Sequence, residues 1–212
     1  MSLFDPGLSA YLEGLISERP LEMEAMEKRA KETSFPIIGP VAGFFCYTIA
    51  RMTNARRIFE MGSGFGYSTA WFAQAVEENG GGEVFHVVWD EDLSQEARRH
   101  LGALGYDRIV RYRIGEATAA LAAEAGPFDL IFNDIDKDGY PDSLPVIAEK
   151  LKPGGVLIVD NMLMGGKIFD LENRSPALDG VRRFTAMILG DDAWVSSLIP
   201  IRDGLMLAYK SR

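Results

Sequence analysis

Apolar and polar positions change their spacing along the chain near residue 56. From Leu8 to Thr33 apolar residues recur at helical spacing, with Pro20 dividing the stretch, and Val41–Thr53 continues as a helix with an apolar face. Beyond that point short apolar runs alternate with amphipathic segments. Strands that alternate with helices of about ten residues indicate βαβ units and a parallel sheet.

The C-terminal part of the chain departs from the alternation of predicted strands and helices. The predicted strands are Arg57–Met61, Glu83–Trp89, Ile109–Ile114, Phe128–Asn133 and Val156–Val159. The predicted helices are Tyr67–Glu78, Leu93–Leu104, Ala117–Ala125, Asp142–Leu151 and Val181–Leu189, with a turn at Lys152–Gly155. Two β-rich runs, Trp194–Ile201 and Leu205–Lys210, are joined by Arg202-Asp203-Gly204, a spacing that predicts a hairpin. We therefore expect an α/β fold with a mainly parallel sheet, one antiparallel strand near its end, and helices on both faces.

Length and charge narrow the class of protein. The 212 residues suit one domain, with an N-terminal helical segment (1–55) and an α/β core (56–212). A formal net charge of -9 repels a phosphate backbone and disfavours a dedicated nucleic-acid binder. Met1–Asp5 shows no signal-peptide character, and Pro36–Ala50 is too short to span a bilayer. With Cys46 as the only cysteine, these features favour a cytoplasmic protein with no membrane partner.

The first predicted strand runs into a glycine-rich turn, Glu60-Met61-Gly62-Ser63-Gly64-Phe65-Gly66-Tyr67-Ser68. Glycines permit a tight turn and a close approach of backbone to ligand, and the next helix offers free N–H groups. The spacing is not that of a dinucleotide-binding turn. A carboxylate two residues before the first glycine could accept a hydrogen bond from a ligand ammonium, directly or through water. Any tight strand-to-helix turn favours glycine, so the turn alone is weak evidence.

Acidic and amide side chains follow the fourth and fifth predicted strands. Asp134, Asp136, Lys137 and Asp138 come after the fourth strand, and Asp160-Asn161 after the fifth. Neighbouring parallel strands lie about 4.8 Å apart, so these groups converge if the two strands are adjacent. Either aspartate alone is explained as a helix cap. Both together, with Asn161 and Lys137, favour a site of oxygen ligands suited to Mg²⁺ or Ca²⁺.

These motifs resemble the cation-dependent class I S-adenosylmethionine O-methyltransferases, the family of catechol and caffeoyl-CoA O-methyltransferases. The resemblance covers the glycine turn, the run from Phe128 to Tyr140, Lys152-Pro153-Gly154-Gly155, Asp160-Asn161 and the ending Leu198–Leu205. It implies a Rossmann-like fold with a seven-stranded sheet. It also implies transfer of a methyl group to an oxygen, and commonly a homodimer.

The resemblance assigns roles by position. Asp134, Asp160 and Asn161 are the implied ligands of Mg²⁺, or of Ca²⁺ or Mn²⁺, with Lys137 as general base beside Asp134. The implied cofactor-binding residues are Glu60, Gly62, Ser63, Gly64, Gly66, Ser68, Glu116, Ala117 and Asp134. Asp203 matches a position near the acceptor site.

One position departs from the family. Members usually carry an acid at the end of the second strand that binds both ribose hydroxyls, and Val88 stands there in this sequence. Asp90 lies two residues on, and we expect it to reach the ribose after a small shift of the loop.

The expected reaction is methyl transfer to a small aromatic acceptor that carries two neighbouring hydroxyls. A metal ion could hold both hydroxyls and lower the pKa of one, while Lys137 takes its proton. Three alternatives stay open. They are a tRNA hydroxyuridine O-methyltransferase of the same family, a non-catalytic cofactor-binding protein, and a nicotinamide-type oxidoreductase, which the glycine spacing disfavours.

Overall fold

A computed structural model describes residues 6–212, and the sequence-based expectation of no leader at Met1–Asp5 lies outside this range. The helices are α1 (Pro6–Glu13), α2 (Leu21–Thr33), α3 (Gly39–Met52), α4 (Tyr67–Glu78), α5 (Glu91–Ala103), α6 (Ala117–Ala123), α7 (Tyr140–Lys150) and α8 (Pro176–Leu189). The strands are β1 (Arg57–Met61), β2 (Glu83–Val88), β3 (Val110–Ile114), β4 (Phe128–Asn133), β5 (Leu151–Val159), β6 (Trp194–Ile199) and β7 (Leu205–Lys210). Short 3₁₀ turns occupy Lys137–Gly139 and Met164–Phe169.

The seven strands form one sheet in the order β3-β2-β1-β4-β5-β7-β6. Strands β1 to β5 run parallel, and β7 is antiparallel to both β5 and β6. The predicted α/β sheet with one antiparallel strand is therefore confirmed. Strand β1 is flanked by β2 on one side and by β4 on the other. The order of the strands therefore reverses at β1, which creates a crevice at the carboxyl ends of these strands. Ligands of doubly wound folds bind at such a switch point.

Successive side chains of each strand enter different cores. Ile58 of β1 packs in the core beneath α2 to α5, whereas its neighbour Phe59 packs in the core beneath α6 to α8. Because side chains alternate along a strand, apolar runs such as Leu130–Phe132 supply both cores at once. The expected helices on both faces are confirmed. No helix within residues 6–212 is long and apolar enough to cross a membrane.

Several predicted boundaries were wrong for identifiable reasons. The last two helices begin earlier than predicted, at Tyr140 and at Pro176, because a proline in the first turn starts each of them. Lys152–Gly155 is not a separate turn but an irregular part of β5. Phe128 pairs with Leu151 and Leu130 with Val156, so β5 advances five residues while β4 advances two, and the surplus bulges out.

Candidate active site

Backbone hydrogen bonds hold the carboxyl ends of the central strands together. The amide of Asp134 donates to the carbonyl of Met61 at 2.9 Å, joining the end of β4 to that of β1. The amide of Asp160 donates to the carbonyl of Asn133 at 3.1 Å, which joins β5 to β4. Residues that are far apart in sequence therefore share one edge of the sheet.

A cavity of about 710 Å³ opens at this edge, within the usual range for small-molecule sites. Most residues predicted to form the site line it, namely Gly62, Ser63, Gly64, Ser68, Glu116, Ala117, Asp134, Lys137, Asp160 and Asn161. Three predicted cofactor-binding residues, Glu60, Gly66 and Asp90, do not line the cavity.

The glycine turn is shaped by its protein neighbours. Gly62 has φ +87°, and a Cβ there would lie 2.5 Å from the carbonyl oxygen of Asp134. Gly66 has φ +93°, and its Cβ would meet Ala97 of α5 at 3.0 Å. We expected these glycines to make room for a ligand. At both positions the absent side chain instead allows packing of the turn against β4 and α5.

Glu60 lies in a buried polar cluster behind the turn. Its Oε2 accepts a hydrogen bond from Thr69, whose Oγ1 lies 3.1 Å from His86 Nδ1, while Glu60 Oε1 has no hydrogen-bond partner among residues 6–212. Burial raises the pKa of Glu60 to about 7, against the opposing effect of the Ser68, Thr69 and Ser63 hydroxyls. Burial also lowers the pKa of His86 to about 3, so this imidazole is neutral.

Two acids near the ends of β2 and β3 cap helices. Asp90 Oδ1 accepts from the amides of Asp92 at 2.8 Å and Leu93 at 3.1 Å, at the start of α5. Glu116 accepts from the amides of Thr118 at 2.7 Å and Ala119 at 2.5 Å, at the start of α6. Asp90 is exposed and lies outside the cavity, so the structure does not place it where a ribose ligand was expected. The free N–H groups of a helix start explain its orientation.

Lys137 is held directly over the end of β4. Its Nζ donates to Asp134 Oδ1 at 2.7 Å and to the carbonyl of Ile135 at 3.0 Å. The ammonium also lies 5.4 Å from the ring centroid of Tyr140, which is fully buried. The pair therefore stands at a fixed place on the cavity wall.

The end of β5 carries a second carboxylate, which is paired with a second basic side chain. Asp160 is 1% exposed, and its Oδ2 accepts from Arg202 Nη1 at 2.9 Å. Asn161 has φ +57° and donates from Nδ2 to Asp203 Oδ2 at 3.1 Å, so the amide oxygen is the end left for another partner. The β6–β7 connection thus delivers Arg202 and Asp203 to the ends of the parallel strands. The sequence indicated Asp203 but not Arg202.

The electrostatics at the ends of β4 and β5 reflect the proximity of two acids, Asp134 and Asp160. Burial raises the pKa of Asp160 to about 6, the charge of Asp134 adds to the rise, and Arg202 opposes it. Burial also raises the pKa of Asp134, against the effect of the Lys137 ammonium. Within residues 6–212, no three Asp, Glu, His or Cys side chains converge as a metal-binding group. The candidate ligand set here is two carboxylates and one amide.

A loop from the N-terminal helices covers the glycine turn, which the sequence did not indicate. Phe35 and the three residues after it line the cavity, and the Phe35 ring meets that of Phe65 edge-on at 5.1 Å. The Arg29 guanidinium lies 4.3 Å from the Phe65 centroid and donates twice to Glu96 of α5, at 2.7 Å each time. Tyr67 adds a hydrogen bond from its hydroxyl to Glu27 Oε1 at 2.7 Å. These contacts tie α2 to the rim of the cavity.

Comparison with known proteins agrees with this architecture. The family model described as O-methyltransferase matches residues 13–211. A catechol O-methyltransferase from Niastella koreensis is 30% identical over 209 residues, covering 93% of this chain and 94% of that protein. The solved O-methyltransferase TomG from Streptomyces achromogenes, in complex with S-adenosylmethionine, superposes with a TM-score of 0.87 at 25% identity, over 97% of this chain and 96% of that one. An O-methyltransferase from Bacillus cereus in complex with S-adenosylhomocysteine gives a TM-score of 0.87 at 25% identity, over 96% of this chain and 97% of that one.

A Rossmann-like sheet with a glycine turn after β1 and paired acids after β4 and β5 defines a class I methyltransferase. The chain belongs to the O-methyltransferase family. The expected enzyme class, an S-adenosylmethionine-dependent O-methyltransferase, is confirmed.

Proposed function

We propose that this enzyme binds S-adenosylmethionine in the cavity and transfers its methyl group to a hydroxyl of a small, catechol-like aromatic acceptor, with a divalent cation bound at Asp134, Asp160 and Asn161. The observation that carries the proposal is the convergence of Asp134–Lys137 and Asp160–Asn161 on the cavity that also holds the glycine turn. The 30% identity to a catechol O-methyltransferase supports the acceptor class.

The cavity suits the cofactor in size and in polar groups. Its volume of about 710 Å³ falls in the range of sites that enclose ligands of this size. Ser63 and Ser68 line the cavity next to the turn, and behind them Glu60 Oε1 is a buried acceptor that finds no donor among residues 6–212. The cofactor carries an ammonium group, which could satisfy that oxygen directly or through a water molecule.

The donor set suits a hard divalent cation. Two carboxylates and an amide oxygen are ligands that Mg²⁺, Ca²⁺ or Mn²⁺ accepts, and no histidine or cysteine lines the cavity within residues 6–212. Burial raises the pKa of Asp160, and the charge of Asp134 adds to the rise, so the charged form of this carboxylate is disfavoured in a way that a bound cation would relieve. Such an ion, when bound, lowers the pKa of a hydroxyl that contacts it.

The protein groups have separate tasks in transfer. Asp134 fixes Lys137 Nζ at 2.7 Å on the cavity wall. We assign this nitrogen, after its ammonium has released a proton to solvent, to accept the proton of the acceptor hydroxyl. The loop at Phe35 lines the cavity beside the glycine turn, so it would shield a bound cofactor from solvent on that side. Transfer requires the oxygen, methyl carbon and sulfur in line, so holding both substrates is the main work of the cavity.

The test separates cofactor binding from metal-dependent transfer. Calorimetry should show S-adenosylhomocysteine binding both with Mg²⁺ and with EDTA, because the glycine turn needs no metal. Methyl transfer to a panel of catechols should occur with Mg²⁺ and fall to background with EDTA. Full transfer in EDTA would contradict the metal assignment and favour a metal-free reaction, in which Lys137 and Arg202 alone neutralise the two acids.

We propose a small acceptor rather than tRNA. Arginines of the basic cluster at β3 are already paired, Arg111 with Glu83 at 3.0 Å and Arg113 with Glu124 at 2.6 Å. Transfer to unmodified or hydroxylated tRNA with no transfer to any catechol would reverse this choice.

We also propose a cytoplasmic homodimer. The buried free thiol of Cys46 suits a reducing compartment, and Tyr11, Leu15 and Leu21 expose apolar surface on the N-terminal segments. Light scattering at micromolar concentration should give twice the chain mass, and a monomer mass would contradict the dimer.

A further inference from the structure

We propose that this enzyme holds the nucleoside of its cofactor by apolar and aromatic contact at Val88 and Trp89, and does not distinguish ribose from deoxyribose. The proposal rests on the cofactor cavity assigned above. It concerns the sector of the cavity between the ends of β2 and β3.

In nucleotide-binding sheets of this kind, an acid at the end of the second strand accepts hydrogen bonds from the ribose hydroxyls. Here β2 ends at Val88, which lines the cavity and is 5% exposed. Its neighbours on the cavity wall are Val87, Trp89 and Leu93. An apolar wall therefore faces the position where the diol is usually bound.

The acids closest in sequence are occupied elsewhere. Asp90 lies outside the cavity and accepts two amides of α5. Glu116 lines the cavity, but both of its carboxylate oxygens accept amides of α6. The other acids on the cavity wall follow β4 or β5, away from the β2–β3 sector. Among residues 6–212, the carboxylate that lines this sector is that of Glu116, and each of its oxygens already accepts an amide of α6.

Trp89 supplies a different kind of contact. It lines the cavity and is 67% exposed, a large apolar surface without cover at the mouth of a binding site. An indole offers a flat face to a purine or to the apolar face of a sugar, and stacking through that face does not depend on the sugar hydroxyls. Removal of an aromatic that stacks on a base weakens binding by about tenfold or more.

The experiment measures binding alone, by calorimetry with S-adenosylhomocysteine and its 2′-deoxy analogue. The parent enzyme should bind the two within threefold of each other. Trp89→Ala should weaken both by about tenfold or more, and Trp89→Phe should keep most of the affinity. Val88→Glu should create a preference for the ribose form of about tenfold or more, because hydrogen bonds to a charged group are strong.

The outcomes separate this proposal from the cofactor cavity itself. A tenfold or greater preference of the parent for the ribose form would overturn the inference while leaving the cavity assignment in place. The variants Glu116→Gln and Asp90→Asn would then show which acid binds the ribose hydroxyls. Unchanged binding by Trp89→Ala would overturn the aromatic contact. No binding of S-adenosylhomocysteine to the parent would overturn the cavity and the inference together. If Val88→Glu does not fold, the parent and the exposed Trp89 variants decide the question without it.

Discussion

The two halves of the cavity use carboxylates in opposite ways. Around β4 and β5, Asp134 and Asp160 face the cavity, and each is paired with a basic side chain. Around β1 to β3, Glu60 is fully buried and Asp90 and Glu116 cap helices. An acid at the end of a strand is therefore free for chemistry only when it does not cap the helix that follows. Asp134 meets that condition because its side chain caps no helix and bonds to Lys137 instead.

Loss of a carboxylate in the β4–β5 half should have the largest effect. For Asp160→Asn we expect methyl transfer to fall by about a thousandfold or more, because acceptor activation is lost. Cofactor affinity should stay within threefold, as measured by calorimetry with S-adenosylhomocysteine. Asp92→Asn, an exposed acid outside the cavity, is the matched control and should keep full activity. Comparable loss of cofactor binding by Asp160→Asn would show that the halves are not separate.

The glycine turn should be sensitive for reasons of packing. Gly62→Ala puts a Cβ 2.5 Å from a carbonyl oxygen at positive φ, and we expect a loss of about 3 kcal/mol in the free energy of unfolding. Gly105 has φ +86° with nothing within 4 Å of a Cβ, so Gly105→Ala should cost only about 1 kcal/mol. Urea denaturation of both variants gives the comparison. Equal losses would mean that the close approach to β4 contributes nothing.

Glu60 should make stability depend on pH. Its pKa of about 7 in the folded protein exceeds the ordinary 4.5, so the folded state retains a proton that the unfolded state has lost between these values. Stability should therefore fall as pH rises, by roughly 2.5 kcal/mol between pH 5 and pH 8 from this group. Urea unfolding should show a smaller fall for Glu60→Gln than for the parent. Parallel pH curves for the two proteins would contradict a buried, proton-retaining Glu60.

Arg202 should affect metal affinity modestly. Its guanidinium is paired with Asp160, the carboxylate that we propose as a cation ligand, and a partly exposed ion pair is worth about 1 kcal/mol. For Arg202→Met we expect the half-saturating Mg²⁺ concentration for methyl transfer to fall about fivefold. Arg174→Met, which removes an exposed arginine outside the cavity, serves as the control. An unchanged or higher Mg²⁺ requirement would remove Arg202 from the cation site.

The sequence predicted the sheet well because its signals are local. Apolar runs such as Val156–Val159 are typical of buried parallel strands, and neighbouring strands bring Asp134 and Asp160 to one edge. The sequence did not show whether Asp90 caps a helix or contacts a ligand, since an aspartate suits both roles. Arg202 was missed because its partner Asp160 is 42 positions away, and only the pairing of β7 with β5 brings the turn that carries Arg202 to that carboxylate. Gly62 was assigned a role in ligand binding because its close approach to the end of β4 is a tertiary contact, which the sequence alone does not show.

The cavity takes its walls from both extremes of the chain. The Phe35 loop comes from the N-terminal helices, and Arg202 and Asp203 come from the turn between β6 and β7, with β7 inserted beside β5. During synthesis the glycine turn leaves the ribosome early, but the β5 edge stays unpaired until residues 205–210 have emerged. An exposed strand edge is open to wrong pairing in the meantime. Nascent chains that stop before residue 205 should therefore resemble the mature fold around β1 to β3 and remain prone to aggregation at β5.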